Sequence, residues 1–443
     1  MKAPRFFSLS IALLLLGLVF TGCTESFVAE GDIESQEQLL SDSKLRHDKF
    51  LSRAKNSGKD GTELNLIVGT LEAQKVIERF KVFERYKVFE RYEYDDAMDG
   101  IAISVIAEDG EDNFEEFFDL LNSDPDVAWY EPDFKLWAPD AYAKMASTTE
   151  VVPWGVRAVN ADRSWSTSDY RKSKVHVFVV DSGIEHSDVN VVERVDFLQD
   201  GNEDGNEDGD PDGHGTHIAG TIGAIDDNDH VVGIAPGVQI HDYRVLGADG
   251  TTDVSVVLAA VERITEVKQA NPSWAMVVNM SLGEDVGTSA FTALDDAVQA
   301  SIDAGVIYVV ASGNYGVDAA TVTPAHVSSA ITVGAYDESK QYAWFSDSGS
   351  MLDVLAPGVD ILSLEAGGGL QTMSGTSMAA AHVTGLIARY LADDYSASPS
   401  RVAYKVRQSA GDSIEGEPYG TTDDGAELMC AGEWDDGECE MDD

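Results

Sequence analysis

The chain has 443 residues and 43% hydrophobic content, enough for two or three domains with a buried core. It carries 79 acidic and 30 basic residues, which gives a formal net charge of -49 at pH 7. This charge argues against nucleic acid and anionic lipid as partners, and it favours solubility, cation binding or a salty habitat.

Residues 1–22 have the features of a secretion signal. Lys2 and Arg5 precede an apolar run over residues 11–20, which is too short to span a membrane as a stable helix. The run leads into FTGC, which resembles a lipoprotein signal-peptidase site with Cys23 as the lipid-bearing residue. Ordinary signal cleavage is the alternative. We expect a secreted or extracytoplasmic protein whose precursor is anchored to a bacterial membrane only through Cys23.

A polar segment without clear periodicity, residues 23–63, is interpreted as a tether. Residues 64–134 then show strand and helix patterns in the order βαββαβ, which predicts a small α+β domain of the ferredoxin-like type. Within it, KVFERY occurs twice in succession, at 81–86 and 87–92. A six-residue step preserves the facing of side chains in a strand but rotates it in a helix, so the duplication favours a lengthened strand or hairpin.

A linker over residues 135–152 leads to the largest domain, residues 153–410, where strands alternate with helices. Predicted strands cover 175–180, 240–246, 276–280, 306–311 and 331–334, and predicted helices cover 254–270 and 290–304. This alternation predicts an α/β domain with a parallel sheet. Asp181 and Asn314 follow the carboxyl ends of two such strands, where open α/β sheets place their ligand crevices.

An acidic stretch, DGNEDGNEDGDPDG, occupies residues 200–213. Its residues Asp208, Asp210 and Asp212, followed by glycine, match the opening of a DxDxDG calcium loop. The twelfth position of such a loop would be Ala219 rather than glutamate, so a solvated acidic loop is the alternative to bound calcium.

Three segments carry the side chains of a serine hydrolase: VVDSG with Asp181, GHGTHIAG with His214 and GTSMAAAHVTG with Ser377. A serine hydroxyl is a poor nucleophile unless an imidazole takes its proton and a carboxylate fixes the imidazole's tautomer. The attacked carbonyl also develops negative charge, for which the Asn314 side chain and the Ser377 N–H are candidate donors. Each segment alone fits a loop or turn. Their joint occurrence, in one of the known triad orders, predicts a catalytic site.

With these motifs, residues 153–395 resemble the catalytic domain of the subtilases, and within that family the proteinase K-like branch. The similarity runs from VPWGVRAVNA through VLAPGVDILS to the helix of Ser377, and it implies a three-layer subtilisin-like fold. It implies that Asp181, His214 and Ser377 are catalytic and that Asn314 forms the oxyanion site. It also implies a substrate groove lined by Ser281, Leu282 and Gly283 on one side and by Ala311, Ser312 and Gly313 on the other.

Two positions depart from the family pattern, because Ala381 and Ser187 stand where proline is usual. Alanine is a good helix former, so we expect the helix after Ser377 to persist. The departure at Ala381 then bears on the placement of the Ser377 hydroxyl and on the rate, rather than on the class of reaction.

The resemblance implies structural calcium as well. Asp353 in MLDVLAP matches a calcium-binding aspartate of proteinase K-like enzymes, with the carbonyl oxygens of Ser328 and Ala330 as further ligands. We expect bound calcium to support the fold and to take no part in catalysis.

The small domain, which closes with VAWYEPDF, resembles the subtilase propeptide, which folds its protease and blocks the cleft with its own tail. We expect autocleavage near residues 147–150, which would separate the catalytic domain from Cys23. The expected product is a monomeric, secreted serine endopeptidase, made as a self-inhibited zymogen, that cleaves proteins or peptides through an acyl-enzyme on Ser377. A catalytically silent binding module on the same scaffold is the alternative, motivated by Ala381 and the acidic tail.

That tail, residues 411–443, contains no lysine or arginine. Cys430 and Cys439 lie eight residues apart within it, a spacing suited to one short-loop disulfide in an exported protein. A metal site built from two cysteines alone is less favoured. Neither residue falls in a catalytic segment, which argues against a cysteine-protease mechanism.

Overall fold

The structure is a computed structural model, and it describes residues 63–81, 86–107, 114–138, 143–145, 150–163, 174–198, 209–287, 292–408 and 427–428. All of them belong to the second of two units of the chain, Phe50–Asp443. The predicted signal, nearly all of the tether and the three cysteines Cys23, Cys430 and Cys439 lie outside the described residues. No helix within those ranges has the length and apolar character needed to cross a bilayer.

Residues 63–132 form a small domain with one antiparallel sheet and two helices. Its elements are β1 (Glu63–Gly69), α1 (Ala73–Phe80), β2 (Tyr86–Tyr94), β3 (Gly100–Ala107), α2 (Glu115–Ser123) and β4 (Trp129–Pro132). The strands lie in the order β2-β3-β1-β4, with every neighbouring pair antiparallel. The second copy of KVFERY falls within β2, while residues 82–85 of the first copy lie outside the described ranges.

Both faces of this small sheet are buried. One face packs on α1 and α2 through a cluster that includes Leu66 and Phe117. The other face presents Ile67, Tyr94 and Ala102 to apolar residues of the larger domain. An antiparallel sheet can leave one face in water. Here the second face shares a hydrophobic core with the next domain.

The linker contributes two short strands, and the larger domain supplies the remaining elements. In chain order these are β5 (Lys135–Trp137), β6 (Ala143–Met145), α3 (Trp154–Ala158), β7 (Val175–Asp181), β8 (Val191–Asp196), α4 (His214–Gly223), β9 (Gln239–Arg244), β10 (Thr251–Asp253), α5 (Val254–Ala270) and β11 (Ala275–Met280). They continue with β12 (Glu284–Asp285), α6 (Ala293–Asp303), β13 (Ile307–Ala311), β14 (Val322–Thr323), β15 (Ile331–Tyr336), β16 (Val354–Pro357), β17 (Ile361–Leu364), β18 (Leu370–Met373), α7 (Thr376–Asp393), α8 (Pro399–Gln408) and β19 (Glu427–Leu428).

An eight-stranded parallel sheet forms the centre of the larger domain, in the order β19-β16-β15-β13-β11-β7-β9-β8. All seven residues of β7 are buried, as expected for a parallel strand covered on both faces. Val177 and Val179 pack in the core that contains residues of α4 and α7. Phe178 and Val180 pack in the core that contains residues of α5 and α6. The domain therefore has three layers, helix, sheet and helix, as in the subtilisin-like fold.

The predicted strands and helices of this domain are confirmed, with ends that shift by at most three residues. Helix α5 begins and ends where the sequence predicted. Helix α7 runs through Ala381 without interruption, so the helix after Ser377 persists with alanine at that position. The sequence did not predict β16, β17 or β18, which have four residues each. It also did not predict β8, which has six residues and alternates half-buried with exposed positions at the edge of the sheet.

Candidate active site

Asp181, His214 and Ser377 come from separate elements that contact one another near the carboxyl end of the central sheet. Asp181 is the last residue of β7, His214 is the first of α4 and Ser377 is the second of α7. His214 Nδ1 lies 2.7 Å from Asp181 Oδ1, and both residues are fully buried. His214 Nε2 has no hydrogen-bond partner among the described residues, so it can accept a proton.

A glycine allows β7 and α4 to approach this closely. A Cβ atom at Gly215 would lie 2.2 Å from the carbonyl oxygen of Gly183 and 3.2 Å from Asp181 Cβ. The first distance is below any normal contact, so a larger residue at 215 would push His214 away from Asp181. The glycines on either side of His214 in GHGTH therefore serve the geometry of the Asp–His pair.

Opposing effects act on the pKa of His214, and their sum raises it above its ordinary value. Burial is the largest single effect, and it lowers the pKa. The charge and hydrogen bond of Asp181, with the charges of Asp212 and Asp210, together outweigh it. The surroundings therefore stabilise the imidazolium that forms when His214 takes a proton.

The Ser377 hydroxyl donates to the carbonyl oxygen of Ser281 at 3.4 Å, and its bond to His214 Nε2 is not formed. Such bonds are often long or misaligned before substrate binds and tighten in the substrate complex. The Ser281 hydroxyl donates to the Ser377 carbonyl oxygen at 3.3 Å and accepts from Asn279 Nδ2 at 2.8 Å. These bonds hold the backbone of the nucleophile in place.

Asn314 is held through its side-chain oxygen. Oδ1 accepts from Thr376 N at 2.9 Å and from Thr376 Oγ1 at 3.0 Å. The amide nitrogen is thereby left as a donor in a residue that lines the same cavity as Ser377. This arrangement is compatible with the predicted oxyanion role.

A cavity of about 120 Å³ lies beside Ser377. Five of the predicted groove residues line it, namely Ser281, Leu282, Gly283, Ala311 and Gly313. Ser312 does not line it. Its N–H donates to the carbonyl oxygen of Val333 at 3.0 Å within the sheet. Five lining residues were not predicted: Trp137, Ala138, Tyr315, Val322 and Thr376. Tyr315 and Thr376 could have been found, because each is adjacent in sequence to a predicted residue.

The chain's own linker lies in the groove. Trp137 and Gly283 exchange two backbone hydrogen bonds of 3.3 Å, and Ala138 N donates to the Gly250 carbonyl oxygen at 2.9 Å. On its other edge β5 pairs with β10 in antiparallel register. Residues 135–137 therefore form an added strand that leads to Ala138 at the Ser377 cavity.

Comparisons with known proteins match these motifs. A sequence model described as the subtilase family covers residues 172–427. The chain belongs to the subtilase family. The members of this family are subtilisin-like serine endopeptidases, and the Asp181–His214 pair beside Ser377 lies within the matched region.

Several relatives are similar over the larger domain. Subtilisin DY from Bacillus licheniformis is 36% identical over 279 residues, 60% of this chain and 94% of that protein. The extracellular serine proteinase of a Thermus species is 38% identical over 290 residues, 64% of this chain and 66% of that protein. The chain spans about half, 51%, of the alkaline serine exoprotease A of Vibrio alginolyticus, at 36% identity.

A solved structure is also similar to this chain. The crystal structure of a cold adapted subtilisin-like serine proteinase has a TM-score of 0.54 and 34% identity, and the match covers 63% of this chain and 98% of that one. The likeness supports the subtilisin-like fold of the larger domain.

The described carboxylates at both predicted calcium positions accept hydrogen bonds from the protein. Asp353 Oδ1 is 2.5 Å from Arg407 Nε, and Oδ2 accepts from Thr332 N at 2.9 Å. Calcium at Asp353, with the carbonyl oxygens of Ser328 and Ala330, stays a prediction.

In the DxDxDG loop, Asp208 lies outside the described residues. Both oxygens of Asp210 accept from the protein, from Ser182 Oγ and Gly213 N on one side and Thr216 N on the other, at 2.7–2.8 Å. Asp212 accepts from His214 N at 3.2 Å. These bonds organise the turn before α4, and calcium at this loop stays a prediction.

A second cluster of carboxylates, around Asp188, was not predicted from the sequence and is a further candidate for a cation site. Asp188 is buried, and its Oδ2 has no hydrogen-bond partner among the described residues. Burial first, and then the charges of Asp227, Asp229 and Glu150, raise the pKa of Asp188 to about 7. Glu150 Oε1 accepts from the N–H groups of residues 227 and 228 at 3.0 Å. The run DDND at residues 226–229 was the feature of the sequence from which this cluster could have been predicted.

Side chains alone do not complete this cluster. In the described part of the chain, no three His, Cys, Asp or Glu side chains converge on a single metal position. A cation beside Asp188 would therefore take backbone carbonyl or water oxygens as well, which is the ligand set that calcium accepts.

Proposed function

We propose that this chain is a secreted serine endopeptidase, made as a self-inhibited zymogen, that hydrolyses peptide bonds of proteins through an acyl-enzyme on Ser377. The observation that carries the proposal is the buried Asp181–His214 pair with its open Nε2, on elements that contact the helix of Ser377, where Ser377 and Asn314 line one cavity.

The reaction follows from these groups. Ser377 Oγ attacks the substrate carbonyl carbon and gives its proton to His214 Nε2, while Asn314 Nδ2 and the Ser377 N–H stabilise the oxyanion. His214 then donates the proton to the leaving amine as the C–N bond breaks. Water attacks the acyl-enzyme, His214 takes a proton from it, and that proton returns to Ser377 Oγ.

Self-inhibition is supported by the linker strand in the groove and by charged contacts behind it. Asp133, which closes the small domain, accepts from Ser255 N at 2.8 Å in the first turn of α5 and pairs with Arg91. Glu131 accepts from Ala293 N at 3.0 Å at the start of α6. The small domain thus contacts two helix ends that favour negative charge, and it delivers residues 135–138 to the cleft.

Secretion rests on the signal features of residues 1–22, and a relative is named an extracellular serine proteinase. Lipidation of Cys23, the Cys430–Cys439 disulfide, cleavage near residues 147–150, the proteinase K-like branch and a monomeric state remain predictions. Protein or peptide substrates follow from the family, and neither nucleic acid nor a membrane surface is expected as a partner of the catalytic domain.

Structural calcium is part of the proposal, since subtilases commonly bind it. Asp188 and Asp227 are the carboxylates that would hold the ion, with Glu150 beside them. The ion would tie the start of the larger domain to the loop after α4, and no catalytic step passes through it.

The proposal is tested by comparing residues 24–443 as wild type and as Ser377→Ala, with Ser374→Ala as the matched control. Ser374 lies three residues before the nucleophile, and its Oγ accepts from Asp360 N. Chain length on gels, fluorophosphonate labelling and casein hydrolysis are measured in the presence of calcium.

We expect wild type and Ser374→Ala to shorten, label and cleave casein, while Ser377→Ala stays full length and loses at least about 10⁴-fold in activity. If folded wild type stays unlabelled and inert even after trypsin removes the small domain, the chain is a binding module on a subtilase scaffold.

A further inference from the structure

The groove strand alternates its side chains between the protein and the rim of the groove. Leu136 is fully buried, whereas Trp137 is 49% exposed, and the Lys135 side chain is 45% exposed. Successive residues of an extended strand point to opposite sides, so this alternation follows from the backbone pairing on both edges. A peptide bound in the same way would place one residue inward and its two neighbours on the rim.

Each rim residue meets a carboxylate. Lys135 Nζ lies 2.8 Å from Asp253 Oδ1 on β10. Trp137 Nε1 donates to Glu284 Oε2 at 2.5 Å, on the opposite side of the groove. The groove thus offers an acceptor to both side chains that flank the buried leucine.

The backbones of both carboxylate residues belong to elements of the larger domain. Asp253 is the N-cap residue of α5. Glu284 lies in β12, which pairs with β14 in the register Glu284 to Thr323. The two acceptors therefore persist as features of the groove when the linker leaves.

The linker and the small domain also neutralise this rim before activation. Asp253 pairs with Arg91 Nη2 at 2.9 Å as well as with Lys135. Departure of residues 63–138 removes Arg91, Lys135 and the Trp137 indole together. Asp253, whose side chain is 14% exposed, then loses both of these cationic partners, and Glu284 loses the hydrogen bond from the indole. A substrate that supplies cationic or N–H groups at these positions gains the interactions that the linker gave up.

We propose that Asp253 and Glu284 select protein substrates in which cationic or hydrogen-bond-donating residues flank an apolar residue, at the positions taken by Lys135, Leu136 and Trp137. The inference rests on the proposed function, because it treats the linker strand as a stand-in for the acyl side of a substrate. The overall charge of -49 acts in the same direction by attracting basic polypeptides.

The test uses the processed enzyme and chromogenic peptides of the form acetyl-Xaa-Leu-Xaa-Ala-Phe-nitroanilide, in which both Xaa residues are Arg, Gln or Glu. We expect kcat/KM to fall in the order Arg, Gln, Glu, with the Arg peptide about 10-fold above the Glu peptide at low salt. The preference should shrink in 1 M salt, because ions screen charge pairs that solvent can reach.

Variants of the carboxylates test which residues are responsible for the preference for the Arg peptide. Glu284→Gln and Asp253→Asn should each reduce the Arg-to-Glu ratio by about 3-fold, whereas Asp285→Asn, the same charge change at the next residue of β12, should leave it within about 1.5-fold of wild type. Active-site titration corrects every rate for the folded fraction, and the salt dependence of wild type requires no variant.

The two proposals fail differently. If wild type hydrolyses none of the peptides, the endopeptidase proposal fails. If it hydrolyses all three at equal rates, or if Asp285→Asn lowers the ratio as much as Glu284→Gln does, the groove has no rim selection of this kind and the inference is wrong.

Discussion

Asp212 lies beside His214, the proposed general base, without belonging to the proposed triad. Its Oδ1 accepts from His214 N at 3.2 Å, and its charge is among those that raise the pKa of His214. His214 must be neutral to take the proton of Ser377, so Asp212 helps to set the pH at which the enzyme becomes active.

Asp212→Asn should therefore lower the pKa of His214 and move the acid limb of the kcat/KM profile to lower pH. Above that limb both forms have a neutral His214, so the plateau should change by less than about tenfold. The control is Asp303→Asn, which removes an exposed carboxylate from α6. An acid limb that stays in place, or that moves equally in both variants, would contradict a local effect of Asp212 on His214.

At this scale the sequence was informative where chemistry demands particular residue types. Asp181, His214, Ser377 and Asn314 could be proposed from short motifs because few other residues can perform their roles. Trp137 could not, since its place at the cavity depends on backbone pairing with Gly283, and nothing in the linker sequence marks that partner.

Among the elements, the buried strands and the long helices were predictable because each carries its own apolar pattern. Strands β5 and β6 have three residues each and exist through pairing with β10 and β18, so no local pattern predicts them. The surroundings of the predicted cation positions could not be read from the sequence for a similar reason. Arg407, more than fifty residues from Asp353 in sequence, reaches that carboxylate only in the folded chain.

Calcium should stabilise the loop that follows α4 and not the turn at Asp353. In the Ser377→Ala background, which prevents self-digestion, calcium at about 100 times its Kd should stabilise the fold by about 2.7 kcal/mol over EDTA. Asp188→Asn should abolish most of this calcium-dependent stabilisation, which is measured by thermal unfolding.

Asp353→Asn provides the contrast, since it disturbs the pair with Arg407. We expect a lower Tm with an unchanged calcium increment. An increment lost in Asp353→Asn but kept in Asp188→Asn would reverse the assignment of the two positions.

For the whole molecule, the sequence predicted two folded domains and their order, but the way they dock depends on side chains far apart in the chain. Glu262 on α5 accepts hydrogen bonds from the N–H groups of Asp95, Asp96 and Ala97, which follow β2. Glu266, one turn later on α5, pairs only within that helix among the hydrogen bonds described, with Arg263.

Glu262→Ala should weaken docking of the small domain, because three N–H groups lose a charged acceptor and charged hydrogen bonds contribute about 1.5–3 kcal/mol each. The lag before casein hydrolysis should shorten by about tenfold or more. Glu266→Ala, tested in parallel, should keep the wild-type lag. Equal lags in all three proteins would show that docking does not limit activation.

The second buried face of the small sheet also determines what happens after release. Ile67, Tyr94 and Ala102 are covered by the larger domain, so a freed small domain bears an apolar patch and loses part of its core. Partial unfolding makes a polypeptide accessible to proteases. Under the proposed self-inhibition, each small domain that dissociates becomes a substrate of the enzyme, and the first active molecules remove the restraint from the others. Activation of a population should accelerate with time and should not reverse.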